Sequence, residues 1–346
     1  MNQKIVKQVA GIDVAQDELV VSLGQLKEDL SIQILSQQCF PNNAGGFVKL
    51  VTWVSRHADS QIFLQFVMEA TGVYHECLAY YLTDHDHSVS IVMPSKISNY
   101  MRTLDTKTIT DKTSSEAIMM FGLQRKLEQW KQPPPMYKKL RQLTRERDQL
   151  VSLRTMAKNR LHAEKSEAKP DKGSLARSNK QIEFFNKQIA EIVTSINELT
   201  GSNQELKRRI TQLCTIPGIG ILTAATILAE TNGFDLITNK KQLTSYAGLD
   251  VREKQSGTSV KGKPKISKRG NRQLRKCLHM PALSSIRSDE RMKAIFARLV
   301  SKHGIKMKAA VAVQRKLLEL TYVLFKKDED YDGAFYKKLE SSVTAP

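Results

Sequence analysis

Along the first 130 residues, short apolar runs alternate with segments in which apolar residues recur at every third or fourth position. The short runs predict buried strands, and the periodic segments predict helices. The predicted strands cover residues 9–14, 18–23, 32–37, 61–68 and 89–93. The predicted helices cover residues 44–56, 74–84 and 110–127. Strands interleaved with helices predict an α/β domain with a mixed sheet over residues 1–130.

A run of three prolines at residues 133–135 interrupts this alternation and predicts a domain boundary. Beyond the prolines, helical spacing predicts one long helix, a polar turn near residues 169–178, and a second long helix. The apolar positions of the second helix follow a heptad pattern: Ile182, Phe185, Ile189, Ile192, Ile196 and Leu199. Residues 136–203 are therefore predicted to form a coiled-coil spacer, either an antiparallel hairpin or a dimeric coiled coil, with a simple helical spacer as the alternative.

The last segment, residues 205–330, is predicted to be mostly helical, with a helix-hairpin-helix-like element at its start. This element reads Ile216-Pro217-Gly218-Ile219-Gly220 and precedes a helix at residues 222–230. Its two glycines, Gly218 and Gly220, would let backbone amides and a helix N-terminus approach a phosphate without reading base sequence. A tight turn without a ligand is the alternative. Further helices are predicted at residues 240–247, 271–286, 289–303 and 309–326.

The composition adds a strong charge bias. The 346 residues carry a formal net charge of +19, which favours a polyanionic partner, and nucleic acid is favoured over a membrane surface because no basic amphipathic anchor stands out. The four cysteines form no CxxC pair, so free thiols in a reducing cytoplasm are expected rather than a structural zinc site. Since neither a signal peptide nor a membrane-span-length apolar run is evident, we expect a cytoplasmic, nucleoid-associated protein.

A basic, glycine-rich stretch at residues 255–272 concentrates candidate chemistry in the last segment, and residues 254–276 contain no acidic side chain. Its glycines would allow the backbone to approach phosphates closely. Its hydroxyls are candidate nucleophiles toward a phosphodiester, and chemistry alone does not separate Ser256 from Ser259. Six cations are candidates for holding a nucleic-acid backbone: Lys261, Lys263, Lys265, Lys268, Arg269 and Arg272.

Acidic residues stand at the ends of two predicted strands and at the start of a predicted helix. Asp13 ends the first strand, Glu69 ends the fourth, and Asp111 begins the long helix of the first domain. Each acid alone is typical of a solvated cap or turn. Together they predict a site for Mg²⁺, which takes oxygen ligands and bridges to phosphate, in a ribonuclease-H-like nuclease core.

Three motifs of the first domain resemble the RuvC-like half of insertion-sequence-110-type transposases: Gly11-Ile12-Asp13-Val14, Glu69-Ala70-Thr71-Gly72-Val73-Tyr74 and Thr110-Asp111-Lys112-Thr113. Further motifs resemble the C-terminal half of the same family: Ile216-Pro217-Gly218-Ile219-Gly220, Tyr246-Ala247-Gly248-Leu249, Ser256-Gly257-Thr258-Ser259, Lys268-Arg269-Gly270-Asn271 and Leu274-Arg275. The resemblance covers most of the chain, and the Piv-type DNA invertases are similar as well.

The resemblance implies a DEDD set of acids that binds Mg²⁺ and a serine nucleophile in the other half. Carried over by position, the acids are Asp13, Glu69 and Asp111, and the nucleophile is Ser256. The fourth acid of the family pattern is replaced here by Ser114. Two further acids are alternatives for the fourth position, Glu116 and, more weakly, Asp105.

The same resemblance implies the reaction and the partners. Ser256 would attack a DNA phosphate to form a covalent phosphoserine link, and strand exchange would rejoin donor and target DNA without net hydrolysis. A structured non-coding RNA from the same element would choose the sequence by base pairing, and a homodimer or homotetramer would bring serine and acids together within one chain or between chains. The alternatives are a RuvC-like Mg²⁺-dependent endonuclease without a covalent intermediate and a non-catalytic nucleic-acid-binding protein.

Overall fold

A computed structural model describes residues 4–70, 72–104, 108–235, 237–253, 255–256, 260–262 and 265–333. The chain divides into two compact units, Met1–Gln132 and Pro133–Pro346. The division falls at the proline run, and both long helices that follow belong to the second unit. Within the described residues, no helix is both long enough and apolar enough to cross a membrane.

The first unit is built on a mixed five-stranded sheet with the strand order β3-β2-β1-β4-β5. Its strands are β1 (Ile5–Val14), β2 (Glu18–Lys27), β3 (Ile32–Pro41), β4 (Leu64–Glu69) and β5 (Ser88–Val92). The first three strands form an antiparallel meander, whereas β4 pairs parallel with β1 and β5 pairs parallel with β4. The mixed sheet confirms the predicted α/β class. The first three strands extend beyond the apolar runs that predicted them, because the backbone ladder continues through their ends.

Helices cover both faces of this sheet: α1 (Ala44–His57), α2 (Glu76–Asp84), α3 (Pro94–Met101) and α4 (Asp111–Gln124). Helices α1 and α2 share one apolar core with the sheet, and α3 and α4 share the core on the opposite face. Helix α3 was not predicted, because it is only two turns long and buries just Ile97 and Tyr100, too few residues to show a period. Pro94 occupies its first turn, where a missing backbone N–H costs little.

Two glycines allow α4 to lie directly against the sheet. A β-carbon on Gly11 would stand 2.2 Å from the backbone nitrogen of Met119, and one on Gly122 would stand 2.9 Å from the side chains of Val9 and Val67. Such distances exclude any larger residue unless the helix moves. Met119 therefore lies over Gly11 and Gly122 over Val9, so α4 runs antiparallel to β1 and begins near that strand's carboxyl end.

The second unit is mostly helical. Its helices are α5 (Pro135–Lys165), α6 (Lys172–Ser202), α7 (Gln204–Cys214), α8 (Ile221–Thr231), α9 (Lys240–Tyr246), α10 (Arg272–Cys277), α11 (His279–Ser288), α12 (Glu290–His303) and α13 (Lys306–Lys327). Four two-residue strands lie between α9 and α10: β6 (Val251–Arg252), β7 (Gln255–Ser256), β8 (Val260–Lys261) and β9 (Lys265–Ile266). The single helix predicted at residues 271–286 is wrong, since it is broken between α10 and α11. Pro281 explains the break, because it offers no N–H to the carbonyl of Cys277.

The two long helices α5 and α6 pack against each other in opposite directions. In three side-chain contacts, the residue numbers rise along α5 while they fall along α6: Arg154 contacts Asn186, Arg160 contacts Ser178, and Glu164 contacts Ser174. Most heptad positions of α6 are buried: Phe185, Ile189, Ile192 and Ile196. The seam therefore packs within the chain. Its end near Ile192 and Ile196 joins the core of the second unit, together with Tyr137, Leu140 and Leu143 of α5.

We expect Ile189→Ala to destabilise the second unit by about 2–4 kcal/mol, because it removes methyl groups from a side chain that is 8% exposed. Phe184→Ala is the matched control, since Phe184 lies on the same helix and is 58% exposed. It should change the free energy of unfolding by less than about 0.5 kcal/mol. Denaturant unfolding checks both variants, and equal losses would contradict the packing of this seam.

Candidate catalytic and nucleic-acid-binding sites

Asp13 and Glu69 lie side by side at the carboxyl ends of two parallel strands. The β1–β4 register pairs Gly11 with Val67 and ends with Ile12 opposite Met68, so Asp13 and Glu69 are the next residues in register. Alternation along a strand puts Asp13 on the face of Gly11 and Glu69 on the face of Val67, and that face carries α4. Both acids therefore lie at the same edge and on the same face of the sheet.

Asp111 lies near the same edge of the sheet, on the face that α4 covers, because it is the first residue of α4. The start of the helix is fixed by a reciprocal cap. The Thr110 hydroxyl accepts a hydrogen bond from the Thr113 amide at 3.2 Å, and the Thr113 hydroxyl accepts one from the Thr110 amide at 2.9 Å. Since α4 begins at the carboxyl end of β1, the third acid lies at the same edge as the other two.

The electrostatics of Asp13 reflect this convergence. Its pKa is raised from 3.8 to about 6, first by burial of the carboxyl group and then by the negative charges of Asp111 and Glu69. A hydrogen bond from the Val14 backbone acts in the opposite direction. A divalent cation bound among these carboxylates would offset their mutual repulsion.

The donor set fits a hard cation such as Mg²⁺, because all three groups are carboxylates and carboxylate oxygens are its preferred protein ligands. Among the described residues, however, no three His, Cys, Asp or Glu side chains stand close enough together to hold one ion as they are placed. Shared binding by these acids therefore requires rotation of their side chains.

The two described candidates for the fourth ligand lie on opposite sides of α4. Glu116 faces β3, where its carboxylate accepts a 3.4 Å hydrogen bond from Gln37. Between them Ser115 faces β2 and shares a 2.8 Å hydrogen bond with Ser22. At about 100° per residue, Ser114 lies about 60° from Asp111 in the other sense, away from β3 and toward the strand that carries Glu69. Asp105 lies outside the described residues.

We predict that Ser114→Asp maintains or raises Mg²⁺-dependent activity, with up to about tenfold tighter Mg²⁺ binding, because it adds a charged oxygen ligand on the side of α4 nearest Glu69. Glu116→Ala is the control and should leave Mg²⁺ affinity unchanged. Isothermal titration with Mg²⁺ measures both. If Glu116→Ala abolished binding while Ser114→Asp changed nothing, Glu116 would be the fourth ligand.

In the second unit, Ser256 lies on a β-hairpin arm between α9 and α10. The base of the arm pairs β6 with β9 through Val251 and Ile266, and the outer part pairs β7 with β8 through Ser256 and Val260. The backbone of Ser256 is therefore the last described position before the tip. Ser259 and Lys263 lie outside the described residues, and for Lys261 the structure describes the backbone alone.

The base of this arm is a pair of closely packed turns. Gly248 has φ +66° and Gly270 has φ +137°, conformations that favour glycine. A β-carbon on Gly270 would stand 2.4 Å from the Tyr246 carbonyl oxygen, and one on Gly248 would stand 2.8 Å from that of Arg269. The motifs around Tyr246 and Arg269 thus interlock at the level of the backbone and anchor the arm.

The remaining predicted cations cluster where the arm meets α10. Lys265, Lys268, Arg269 and Arg272 are all exposed, and none forms an ion pair with a described residue. Exposed cations without acidic partners can contact phosphates at little cost in desolvation. The role of this surface in binding a nucleic-acid backbone therefore stays a prediction.

The two glycines of the turn between α7 and α8 differ in their surroundings. A β-carbon on Gly218 would stand 2.5 Å from the Pro281 carbonyl oxygen, so this glycine is needed for packing against α11. At Gly220, no described residue comes within 4 Å of that position, and none caps the start of α8 with its side chain. Of the two, Gly220 is the one open to a phosphate.

The sequence did not predict a role for Glu230, a charged residue near the base of the arm. Glu230 stands near the end of α8, is only 2% exposed, and binds Arg145 of α5 through both carboxylate oxygens at 2.7 and 2.8 Å. The available signal was a single charged residue in an otherwise uncharged helix. Such a residue looks like a helix-terminal surface position until its partners are known.

Comparison with known proteins matches both halves. A transposase model of the IS110 DEDD type matches residues 10–164, and a model described as "Transposase IS116/IS110/IS902 family" matches residues 210–297. The pilin gene-inverting proteins of Moraxella bovis and Moraxella lacunata are each 30% identical over 310 residues, covering 87% of this chain and 92% of theirs.

Two more distant similarities were found. An uncharacterized 43.6 kDa protein of insertion element IS110 from Streptomyces coelicolor is 27% identical over 125 residues, covering 36% of this chain and 29% of its own. Among solved structures, Thermus thermophilus RuvC bound to a Holliday junction is 9% identical with a TM-score of 0.27, covering 36% of this chain and 99% of RuvC.

Proposed function

Because the chain belongs to the IS116/IS110/IS902 family of transposases and is a DNA recombinase, we propose that it joins DNA to Ser256 covalently while it moves an insertion element. The convergence of Asp13, Glu69 and Asp111 at one edge of a sheet carries this proposal, since it supplies the metal-binding half of the chemistry. The basic arm that holds Ser256 supports the other half.

The reaction conserves phosphodiester bonds. The Ser256 hydroxyl attacks the phosphorus, the Oγ–P bond forms, and the bond from phosphorus to one deoxyribose oxygen breaks. The serine proton ends on the released deoxyribose hydroxyl. Attack by a hydroxyl of the exchanged strand reverses the step, frees the serine and rejoins DNA without water.

The charged residues fall into two groups, acids that would bind the metal ion and cations that would bind the DNA backbone. Asp13, Glu69 and Asp111 would hold Mg²⁺, which when bound neutralises charge on the phosphate and favours the ionised serine. Lys265, Lys268, Arg269 and Arg272 would hold the flanking backbone, so that binding weakens steeply as salt rises. The described cations point to phosphate contacts rather than base reading.

The partners follow from this division. We propose that donor and target DNA are chosen by a structured RNA from the same element, because a strongly basic chain can bind RNA and DNA backbones without reading bases. A homodimer or homotetramer would bring together the cuts needed at both DNA partners. A cytoplasmic location, with association to the nucleoid during the reaction, suits this substrate.

A covalent trap tests the proposal. The protein is incubated with Mg²⁺, RNA transcribed from the element, and DNA carrying the element's ends, and then denatured. A protein–DNA adduct with the phosphate on Ser256, located by mass spectrometry, supports the proposal. Nicked DNA with free ends supports a metal-dependent endonuclease, and intact DNA supports a non-catalytic binding protein.

A further inference from the structure

The arm that carries Ser256 is tied to the long helix α5 by one buried carboxylate. The Oε1 atom of Glu230 accepts a hydrogen bond from Arg145 Nε at 2.7 Å. Its Oε2 atom accepts two, from Arg145 Nη2 at 2.8 Å and from Asn271 Nδ2 at 2.6 Å. Glu230 thus joins α5 on one side to the exit of the arm on the other.

Asn271 is the residue through which this link reaches the arm. Its side-chain oxygen caps α10 by accepting hydrogen bonds from the amides of Gln273 and Leu274 at 2.9 and 3.1 Å. Its own amide donates to the Tyr246 carbonyl oxygen at 2.7 Å, across the interlocked turns at the base. A shift of Asn271 therefore moves both turns from which the arm projects.

Tyr246 closes the same link from the entry side of the arm. Its hydroxyl donates to the backbone carbonyl of Glu230 at 2.9 Å. Both ends of the hairpin are thus attached to one residue of α8, the entry through Tyr246 and the exit through Asn271. The buried Glu230 carboxylate accepts three hydrogen bonds, two from Arg145 and one from Asn271. Breaking any one of them is costly, because it leaves a buried charge with too few partners, so Glu230 holds these elements rigidly.

We infer that Glu230 is a positioning residue for the serine arm, which sets the orientation of the hairpin relative to α5. This inference rests on the proposed role of Ser256. Glu230 acts on the reaction only through Asn271 and the turns, so it is not a catalytic residue.

Reversing the polarity of one hydrogen bond tests the inference. Asn271→Asp keeps the cap of α10, because Asp and Asn cap equally well. It replaces the donor to Glu230 by an oxygen, so two carboxyl groups repel. Adding Glu230→Gln to this variant supplies a donor from the other side and restores the hydrogen bond to residue 271, although the new amide nitrogen cannot accept the one from Arg145 Nη2. Asn203→Asp, at the cap of α7, is the matched control.

Two measurements read the result. Hydrogen exchange of the amides at Lys268 and Asn271, which donate into the interlocked turns, should accelerate about tenfold to a hundredfold in Asn271→Asp and recover in part in the double variant. The rate of adduct formation at saturating DNA should follow the same order, while DNA affinity stays unchanged. Asn203→Asp should match the wild type in both measurements.

Unchanged exchange at the turns in Asn271→Asp would overturn the inference. So would equal acceleration throughout α8 and α13 without recovery in the double variant, since that is general destabilisation. If exchange follows the expected order but the wild type forms no adduct, the support of the arm by Glu230 stands and the role of Ser256 as nucleophile fails.

Discussion

Ser256→Ala is expected to lower adduct formation at least about a thousandfold, to background, because the methyl group offers no oxygen to the phosphorus. DNA binding should change less than about twofold, since the arm and its exposed cations remain. Denaturing gels measure the adduct, and filter binding at fixed salt measures affinity.

The neighbouring hydroxyl provides the matched control. Ser259→Ala should form the adduct at close to the wild-type rate, because Ser256 alone matches the family position for the nucleophile. If Ser256→Ala still formed the adduct while Ser259→Ala did not, the nucleophile would be Ser259. Loss in both variants together with lost DNA binding would point to a damaged arm.

Asp13→Asn is expected to abolish Mg²⁺-dependent strand transfer, at least about a thousandfold, because an amide cannot replace a charged ligand between Glu69 and Asp111. A second readout is independent of catalysis. Mg²⁺ should raise the unfolding temperature of the wild type and leave that of Asp13→Asn unchanged. Asp17→Asn is the control, since Asp17 is exposed on the turn after β1.

The same substitution should stabilise the metal-free fold at neutral pH. Folding raises the pKa of Asp13 from 3.8 to about 6, so the folded state disfavours the ionised form. The resulting penalty is absent below pH 3.8, grows as pH rises, and is complete above about 6. Above that pH, Asp13→Asn should gain about 1–2 kcal/mol, a value that allows for solvent screening. Equal stability of wild type and variant at pH 8 would contradict the crowding of these acids.

The acid edge could be predicted from the sequence because each acid directly follows or begins a clearly periodic segment. The parallel pairing that places Asp13 beside Glu69 could not be predicted from periodicity, since the paired residues of β1 and β4 lie 56 positions apart in the chain. The same limit applies to Glu230, whose role is set by Arg145 and Asn271. These partners are distant in sequence and meet only in the folded core.

Local chemistry explains the remaining differences. Helix α3 escaped prediction because two buried residues do not define a period. The break between α10 and α11 escaped prediction because its apolar pattern continues across Pro281, although the hydrogen bonding does not. The motif does not distinguish Gly218 from Gly220, and only the fold shows that α11 occupies the space beside Gly218.

The missing side chain at Gly11 gives the first unit an unusual vulnerability. The α-carbon of Gly11 lies directly against the backbone of Met119 and so sets the distance between β1 and α4. Even Gly11→Ala would push α4 away from β1 and so move Asp111, at the start of α4, away from Asp13. The proposed metal site therefore depends on the close contact between α4 and β1 as well as on the carboxylates themselves.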